Sequence, residues 1–212
     1  MSIKDRKKKE NFELRQKILN AALKVFADQG YAEVSMRKIA GLIDYSATTI
    51  YRFFRNKEEL LGAIAIEAYK DLSAKVEKIK AQGGGDHLAM LKLLIREYII
   101  FCVERPEMFR LLADLSVFEM DGDFMYERLG HARFQVYQSW FACIHKSIEA
   151  DVLDVKDEKR VFLYLWDSVN GYIDHLVNQP RIPRKPLSTD AAEYLNLLFR
   201  GLEAKKTDAK RR

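Results

Sequence analysis

The sequence predicts an all-α protein. Apolar residues recur every three or four positions along most of the 212-residue chain, which is the spacing of helices with one buried face. No segment shows the strict alternation of apolar and polar residues that is typical of a half-buried strand. Three consecutive glycines (Gly83–Gly85) and three prolines between residues 180 and 186 interrupt the helical pattern, because neither residue type sustains a helix.

The first two helices are predicted from their apolar faces and their end signals. Apolar residues from Leu14 to Phe26 are spaced as one helical face, and Gly30 is suited to the left-handed position that ends a helix. Ser35 is a good N-cap for a short second helix, because its hydroxyl can accept a hydrogen bond from a free backbone N–H.

Seven further helices follow along the chain. Ser46 is predicted to cap a third helix that runs to about Arg52, and Asn56 a fourth that runs to about Lys80, with Glu59 three residues on as in a capping box. Beyond the glycines, the spacing predicts helices at about 87–104, 106–119, 124–149, 158–178 and 188–203.

The formal charge is concentrated at the start of the chain. The first sixty residues hold 13 Lys and Arg against 8 Asp and Glu, while the remainder holds 23 of each. The whole net charge of +5 therefore lies in the first sixty residues. A basic region next to a balanced one is the electrostatic pattern of a nucleic-acid binder.

Other classes of protein are disfavoured by what the sequence contains. No apolar run approaches the ~20 residues of a membrane helix, and the charged N-terminus does not resemble a secretion signal, so we expect a cytoplasmic protein that does not bind membranes. Cys102 and Cys143 lie in apolar settings without metal-ligand spacing and are read as core residues. The four histidines are scattered, and the acidic run 119–127 lacks the glycine and glutamate of a calcium loop. We therefore expect no metal, no cofactor and no enzyme activity, with a helical enzyme kept as a remote alternative.

The segment from Ser35 to Arg52 has the form of a helix-turn-helix. In that motif the second helix enters the major groove of DNA and its N-terminal residues meet base edges. Ile50 and one of the following phenylalanines can anchor this helix to the first. The small, hydroxyl and cationic side chains of Ala47, Thr48, Thr49 and Arg52 would remain on its outer side, where they can contact bases or phosphates.

These residues resemble the DNA-binding domain of the TetR family of transcriptional regulators. The similarity is carried by four runs: Ile18–Tyr31, Ser35–Ala40, Ser46–Phe54 and Asn56–Leu61. It implies an all-helical homodimer with an N-terminal helix-turn-helix domain, a C-terminal bundle that binds a ligand, and operator DNA as the target. We interpret the chain as a ligand-responsive regulator, most simply a repressor. A transcriptional activator or an effector-independent DNA binder of the same fold is the alternative.

The resemblance also assigns roles by position. Ser35 corresponds to the hydroxyl that caps the second helix beside a phosphate, and Arg37 and Lys38 to residues that contact backbone or bases. Further phosphate contacts are expected from Ser46, Thr49, Tyr51 and Lys57, and base contacts from Ala47, Thr48 and Arg52.

Three positions depart from the family pattern. Asp44 stands where a turn glycine is usual, and aspartate tolerates the left-handed region better than most residues. Tyr45 replaces a small apolar residue, so its phenol either contacts DNA or packs locally. Phe53 stands where His or Tyr is common and cannot donate a hydrogen bond to phosphate.

The resulting domain plan has one DNA-binding and one regulatory part. Residues 9–56 are expected to form the helix-turn-helix domain and residues 57–204 the regulatory and dimerisation domain. The basic segments 1–8 and 205–212 are expected to be disordered. Whether the first of them enters a minor groove on DNA is left open.

The aromatic residues of the C-terminal half suggest a ligand pocket and a dimer interface. We expect a lipophilic or aromatic effector, not a phosphate-rich one, bound by Phe109, Phe134, Tyr137 and Trp140. The last two helices present apolar faces wider than one packing surface needs. They are therefore predicted to form the homodimer interface through six residues: Trp166, Val169, Ile173, Leu195, Leu198 and Leu202.

Overall fold

The computed structural model describes residues 2–117, 123–179 and 185–203, and within these ranges the predicted all-α architecture is confirmed. The helices are α1 (Ile3–Gln29), α2 (Met36–Leu42), α3 (Ala47–Tyr51), α4 (Lys57–Ala81), α5 (His87–Glu104), α6 (Pro106–Val117), α7 (Asp123–Glu149), α8 (Glu158–Asn178) and α9 (Leu187–Phe199). A 3-10 turn at Tyr31–Glu33 joins α1 to α2. In the described ranges the β-structure is limited to an isolated bridge between Leu153 and Glu203.

Helix α1 begins earlier than the sequence suggested. Ser2 caps it by accepting from the backbone N–H of Asp5 at 3.2 Å, and the Asp5 carboxylate accepts in return from the N–H of Ser2 at 3.1 Å. This reciprocal cap, together with the Arg6–Glu10 ion pair one turn later, favours helix from Ile3 onward. Residues 3–8, expected to be disordered, are therefore the first turns of a helix in the structure.

The chain divides into two compact units. The first contains residues 1–70 and 106–133, and the second residues 71–105 and 134–212. The three divisions fall within α4, between α5 and α6, and within α7. The functional boundary between residues 56 and 57 stays a prediction.

The first unit is built around the short helices of the DNA-binding motif. Helices α1 and α3 each contribute apolar side chains with no solvent exposure, and α6 packs against α1. Ile18, Ile39, Ile50 and Leu60, one from each of the first four helices, are fully buried. Burying an isoleucine or leucine side chain contributes ~1.5–3 kcal/mol, so these anchors fix short helices that would not be stable in isolation.

The second unit packs α5 against α8 and α9. Helix α5 buries eight side chains along its length, which explains its nearly continuous apolar sequence. The phenol of Tyr98 on α5 donates a hydrogen bond to Asn170 Oδ1 on α8 at 3.1 Å. This part-buried pair links the two helices.

Three residues predicted for the dimer interface belong to the core of their own subunit. Val169 and Ile173 are 0% exposed and Leu195 is 1% exposed in a single chain. Their side chains are buried within the subunit, where α8 and α9 pack against α5. Assigning them to a contact with a second copy was therefore wrong. Leu198 and Leu202 are half-buried, and their place in an interface stays a prediction.

The end of α9 also differs from its predicted position. The helix ends at Phe199, where a helix to about residue 203 was expected. The N–H of Leu202 bonds back to the carbonyl of Phe199 at 2.9 Å, and the N–H of Asp154 bonds to the carbonyl of Leu202 at 2.9 Å. The chain therefore turns at Gly201 to pair with the segment that precedes α8.

In the ranges that the structure describes, no helix is both long and apolar enough to cross a membrane. Those residues also contain no group of three or more His, Cys, Asp or Glu side chains placed to hold a metal ion. Cys102 and Cys143 are free thiols in buried positions, as expected of core residues.

Candidate nucleic-acid interface

Helices α2 and α3 form a helix-turn-helix in which each helix has a serine cap. Ser35 accepts from the N–H of Lys38 at 3.3 Å and Ser46 from the N–H of Thr49 at 3.1 Å, which confirms both predicted caps. Between the helices, the N–H of Tyr45 bonds to the carbonyl of Ala40 at 3.0 Å. The turn depends on Asp44, which adopts the left-handed conformation with φ 58°, as its place in the sequence predicted.

Most of the predicted contact residues of the motif are accessible to solvent, and we call this set the α2–α3 face. Its exposed members are Ser35, Arg37, Tyr45, Ser46, Thr48, Tyr51 and Arg52. Ala47, Thr49, Lys38 and Lys57 are half-buried. Tyr45 is 43% exposed and Tyr51 55% exposed. The phenol of Tyr45 is therefore accessible to a ligand, and its local-packing alternative has less support.

Two members of the set are engaged within the protein. Lys38 donates to Gln29 and forms an ion pair with Glu33 at 3.2 Å, so its ammonium group is held toward the end of α1. Thr49 Oγ1 lies 3.0 Å from Ser46 Oγ, as part of the α3 cap. Each side chain must break these internal contacts before it can contact a ligand. The roles assigned to Lys38 and Thr49 stay predictions.

Lys57 is positioned by a small polar cluster at the start of α4. Its ammonium nitrogen lies 4.2 Å from the centre of the Tyr31 ring, and the Tyr31 hydroxyl donates to Glu58 Oε1 at 2.9 Å. Burial, with the hydrogen bond to Glu58 and its negative charge, raises the pKa of Tyr31 to about 12. The neutral phenol and its electron-rich ring thus hold the lysine in place while its charge remains within reach of solvent.

Sequence reasoning missed one cation beside this cluster. Arg55, on the loop between α3 and α4, has its side chain 80% exposed. Asn56 caps α4 as predicted, by accepting from the N–H of Glu59 at 2.8 Å. The Glu59 carboxylate, however, accepts from the N–H of Arg55 at 2.7 Å, one residue before the position that a capping box requires. The Arg55 side chain also pairs with Glu59, Nε to Oε2 at 3.3 Å, while it stays largely exposed. A search for helix positions alone did not identify this residue.

The four residues predicted to bind an effector are divided between the two units, and their joint role stays a prediction. Phe109 is buried in the first unit, on α6. Phe134 is 58% exposed at the start of the second unit's part of α7. Tyr137 and Trp140 are packed into a cluster of rings with Tyr98, Phe162 and Trp166, with centroid separations of 4.5–6.5 Å.

This aromatic cluster engages two of the residues predicted to bind an effector. Rings at these separations gain from packing on one another. Tyr98 and Trp140 are buried and Tyr137 and Phe162 half-buried, so a role of the cluster in a ligand site stays a prediction. Trp166, predicted for the dimer interface, is half-buried and contributes its ring to the same cluster. The cavity of the second unit lies elsewhere, between α4, α5 and α7, and has a volume of about 740 Å³.

Comparison with known proteins agrees with this geometry. The sequence pattern of the family described as bacterial regulatory proteins, tetR family, matches residues 18–64. These residues contain α2, α3 and the start of α4. The transcriptional repressor KstR of Mycolicibacterium smegmatis is 33% identical over 72 residues, which are 34% of this chain and 35% of that protein. The chain thus matches only about a third of the length of this curated relative.

Solved structures extend the similarity to the whole fold. The ketosteroid regulator KstR2 of Mycobacterium tuberculosis has a TM-score of 0.74 at 17% identity and covers 90% of this chain and 95% of its own. FadR from Bacillus subtilis, solved in complex with stearoyl-CoA, has a TM-score of 0.70 at 18% identity, with coverages of 88% and 98%. Residues 18–64 therefore match the tetR family of bacterial regulatory proteins, and the fold of the chain as a whole is shared with these solved regulators.

Proposed function

We propose that the protein is a transcriptional regulator, in its simplest form a repressor, that binds a palindromic operator as a homodimer and is released by a small molecule. The observation that carries the proposal is the α2–α3 face, which presents hydroxyl and cationic side chains on helices anchored by fully buried isoleucines. The entire net charge of +5 lies in the same first sixty residues. Hydroxyl and cationic side chains around an anchored helix, in a region of net positive charge, are what recognition of duplex DNA requires.

Two kinds of contact are assigned to this face. Ala47, Thr48 and Arg52 are proposed to read bases, because small and hydroxyl side chains pack on thymine methyl groups and arginine bonds to guanine. Tyr51, Lys57 and the exposed serines are proposed to contact phosphates, which position the protein but carry no sequence information. Arg55 joins this second group because of its exposure beside Lys57.

The proposal includes a twofold dimer formed by α8 and α9. A dimer places two reading helices on two half-sites about one helical turn of DNA apart. Large apolar side chains remain exposed on both helices: Leu163 is 54%, Tyr164 63% and Leu197 62% exposed. Exposed apolar residues at these positions support an interface and replace the buried residues that the sequence suggested.

Ligand response is the third part of the proposal. It is supported by the cavity of the second unit and by the stearoyl-CoA complex of the structurally similar FadR. An effector releases DNA only if it binds the DNA-free arrangement more tightly, and a coupling of ~1–3 kcal/mol corresponds to a loss of DNA affinity of about 5- to 150-fold.

The decisive experiment selects bound fragments from the source genome and measures affinity for the selected duplex and for random DNA. Lys57→Ala should weaken both by a similar factor and reduce the salt dependence by about one unit of slope. Arg52→Ala or Thr48→Ala should weaken the selected duplex by ~1–3 kcal/mol and relax its sequence preference. Lys24→Ala, which removes an exposed charge from α1, is the matched control.

Two outcomes would contradict the assignments. If no duplex is selected above random DNA, the chain is not a sequence-specific regulator. If sequence preference survives substitution of Ala47, Thr48 and Arg52 together, another element reads the bases.

A further inference from the structure

The cavity of the second unit has a lining that differs from the apolar pocket the sequence suggested. It is formed by one face each of α4, α5 and α7, all within the second unit, and its volume of about 740 Å³ falls in the range of ~300–1,000 Å³ that is typical of small-molecule sites. Apolar side chains on its wall include Val76 on α4, Met90 on α5 and Cys143 on α7. These provide a surface for a hydrocarbon group.

A buried hydroxyl on the wall has no partner. Ser73 Oγ is inaccessible to solvent and forms no hydrogen bond within the part of the chain that the structure describes. By contrast, Ser139 on the opposite helix donates to the carbonyl of Gln135 at 3.3 Å. Leaving a buried polar group unsatisfied costs ~1–3 kcal/mol, so the wall at Ser73 contains a polar group that the described residues do not satisfy.

Two lysines border the cavity. Lys80 is on α4 and Lys146 on α7, and both are exposed. Burial raises the pKa of the Cys143 thiol, and the positive charges of Lys146 and Lys80 oppose that rise. Both lysines and Cys143 line the same cavity.

Only one of these lysines is neutralised by a neighbouring carboxylate. Lys80 pairs with Glu77 at 2.8 Å, another lining residue. Lys146 has no ion pair among the described residues. Two ammonium groups and one carboxylate leave this edge with an excess of one positive charge, beside an apolar wall.

We propose that the cavity binds an amphipathic anion, with its charged head at Lys80 and Lys146 and its hydrocarbon part against Val76, Met90 and Cys143. This refines the lipophilic or aromatic effector expected from the sequence by adding a charged head, and it names the effector class for the regulator proposed above. The head is either a free carboxylate or the phosphates of an activated acyl group, since both are anions that ammonium groups bind.

Calorimetry on the DNA-free protein tests the proposal directly. The probes are dodecanoate, dodecanoyl-CoA, the uncharged 1-dodecanol and acetate, which has the charge but not the chain. Dodecanoate or dodecanoyl-CoA should bind, and the tighter of the two identifies the head. Acetate should not bind measurably, and 1-dodecanol should bind at least about tenfold more weakly than the better anion.

Charge-neutralising variants assign the binding to this edge. Lys80→Gln combined with Lys146→Gln should weaken the preferred anion by about tenfold and leave the affinity for 1-dodecanol unchanged. Lys78→Gln is the matched control, because Lys78 is an exposed lysine on the same helix that does not line the cavity. Thermal unfolding of each variant verifies that the fold is retained.

Equal affinities for dodecanoate, dodecanoyl-CoA and 1-dodecanol, or anion binding that survives loss of both lysines, would overturn the proposal. The proposed function fails separately. If the anion binds but DNA affinity does not respond, the cavity assignment stands and ligand-controlled release is rejected. If DNA binds specifically but no probe enters the cavity, the cavity assignment is rejected and the proposed DNA recognition stands.

Discussion

At the scale of single residues, Asp44 combines a backbone role with an electrostatic one. Its φ of 58° lies in the left-handed region, which side chains other than Gly, Asn and Asp rarely adopt. Asp44→Ala should therefore destabilise the protein by ~1 kcal/mol, whereas Asp44→Asn should stay within ~0.5 kcal/mol of the wild type. Urea unfolding of the three proteins checks this, and equal stability of the alanine variant would contradict the account of the turn.

The charge of Asp44 has a separate consequence for DNA. Asp44 is an exposed carboxylate on a face proposed to meet phosphates. Its neutralisation in Asp44→Asn should tighten binding to selected and random duplexes alike, by roughly two- to fivefold at low salt and less at high salt. Asp28→Asn, at an exposed position on α1, controls for the general change in net charge.

Tyr31, which bonds to Glu58 at the start of α4, makes the stability of the protein depend on pH in the alkaline range. Its pKa is raised to about 12 by burial and by Glu58, while a tyrosine in the unfolded chain titrates near 10. The folded state therefore retains a proton that the unfolded state loses between these values, and stability falls as pH rises through this window.

The stability difference between wild type and Tyr31→Phe isolates this effect. We expect a constant difference below about pH 10, and a progressive loss of the wild type's advantage between about pH 10 and 12. Urea midpoints of both proteins from pH 8 to 11.5 measure it, and Glu58→Gln should reduce the effect. Parallel curves across the range would show that the Tyr31–Glu58 bond does not hold the proton.

At the scale of elements, α3 is short enough to depend on its cap. It has five residues, of which only Ile50 is buried, and Ser46 satisfies the N–H of Thr49 at 3.1 Å. Ser46→Ala should lower the free energy of unfolding by ~1 kcal/mol, while Ser46→Asn, which retains a capping oxygen, should cost only a few tenths. Urea unfolding separates the two, and equal losses would mean that the hydroxyl stabilises α3 in some other way.

At the scale of the whole molecule, the proposed dimer rests on side chains that one chain leaves exposed. Leu163→Glu together with Leu197→Glu should give a monomer that binds the operator weakly, because a charge cannot be buried at an apolar interface without a large cost. Val152→Glu, at another exposed apolar position in the same unit, should remain dimeric. Sedimentation velocity at micromolar concentration distinguishes these states, and a monomeric wild type would refute the dimer.

Local signals in the sequence predicted the fold well. Serine and asparagine caps, the glycine run and the three-or-four-residue spacing act within a few residues, so the positions of α2, α3, α5 and α8 followed from them. The conformation of Asp44 followed from its place in a tight turn. These features depend on backbone sterics and short hydrogen bonds, which a short stretch of sequence largely determines.

Features that depend on the choice of packing partner were not predictable in the same way. An apolar stripe shows that a helix is covered but not by what, so Val169 and Ile173 were assigned to a second copy when their own α5 covers them. Aromatic residues such as Tyr137 and Trp140 pack on one another as readily as on a ligand. The lining of the cavity was missed because Gln, Ser and Lys at helical spacing are also typical of a solvated face.

The long exposed start of α1 determines how fast its backbone amides exchange hydrogen with solvent. Every side chain from Ser2 to Glu13 is exposed, and the first buried residue of the helix is Ile18. A helical segment without tertiary contacts opens and closes far faster than a packed one. Its backbone amides should therefore exchange hydrogen for deuterium almost as fast as in an unfolded chain. The amides around Val25 should stay protected until the first unit unfolds. A partner bound by Lys4, Lys7 and Lys8 would slow this hydrogen–deuterium exchange in these turns alone. The exchange rates of the backbone amides would therefore report where the partner binds.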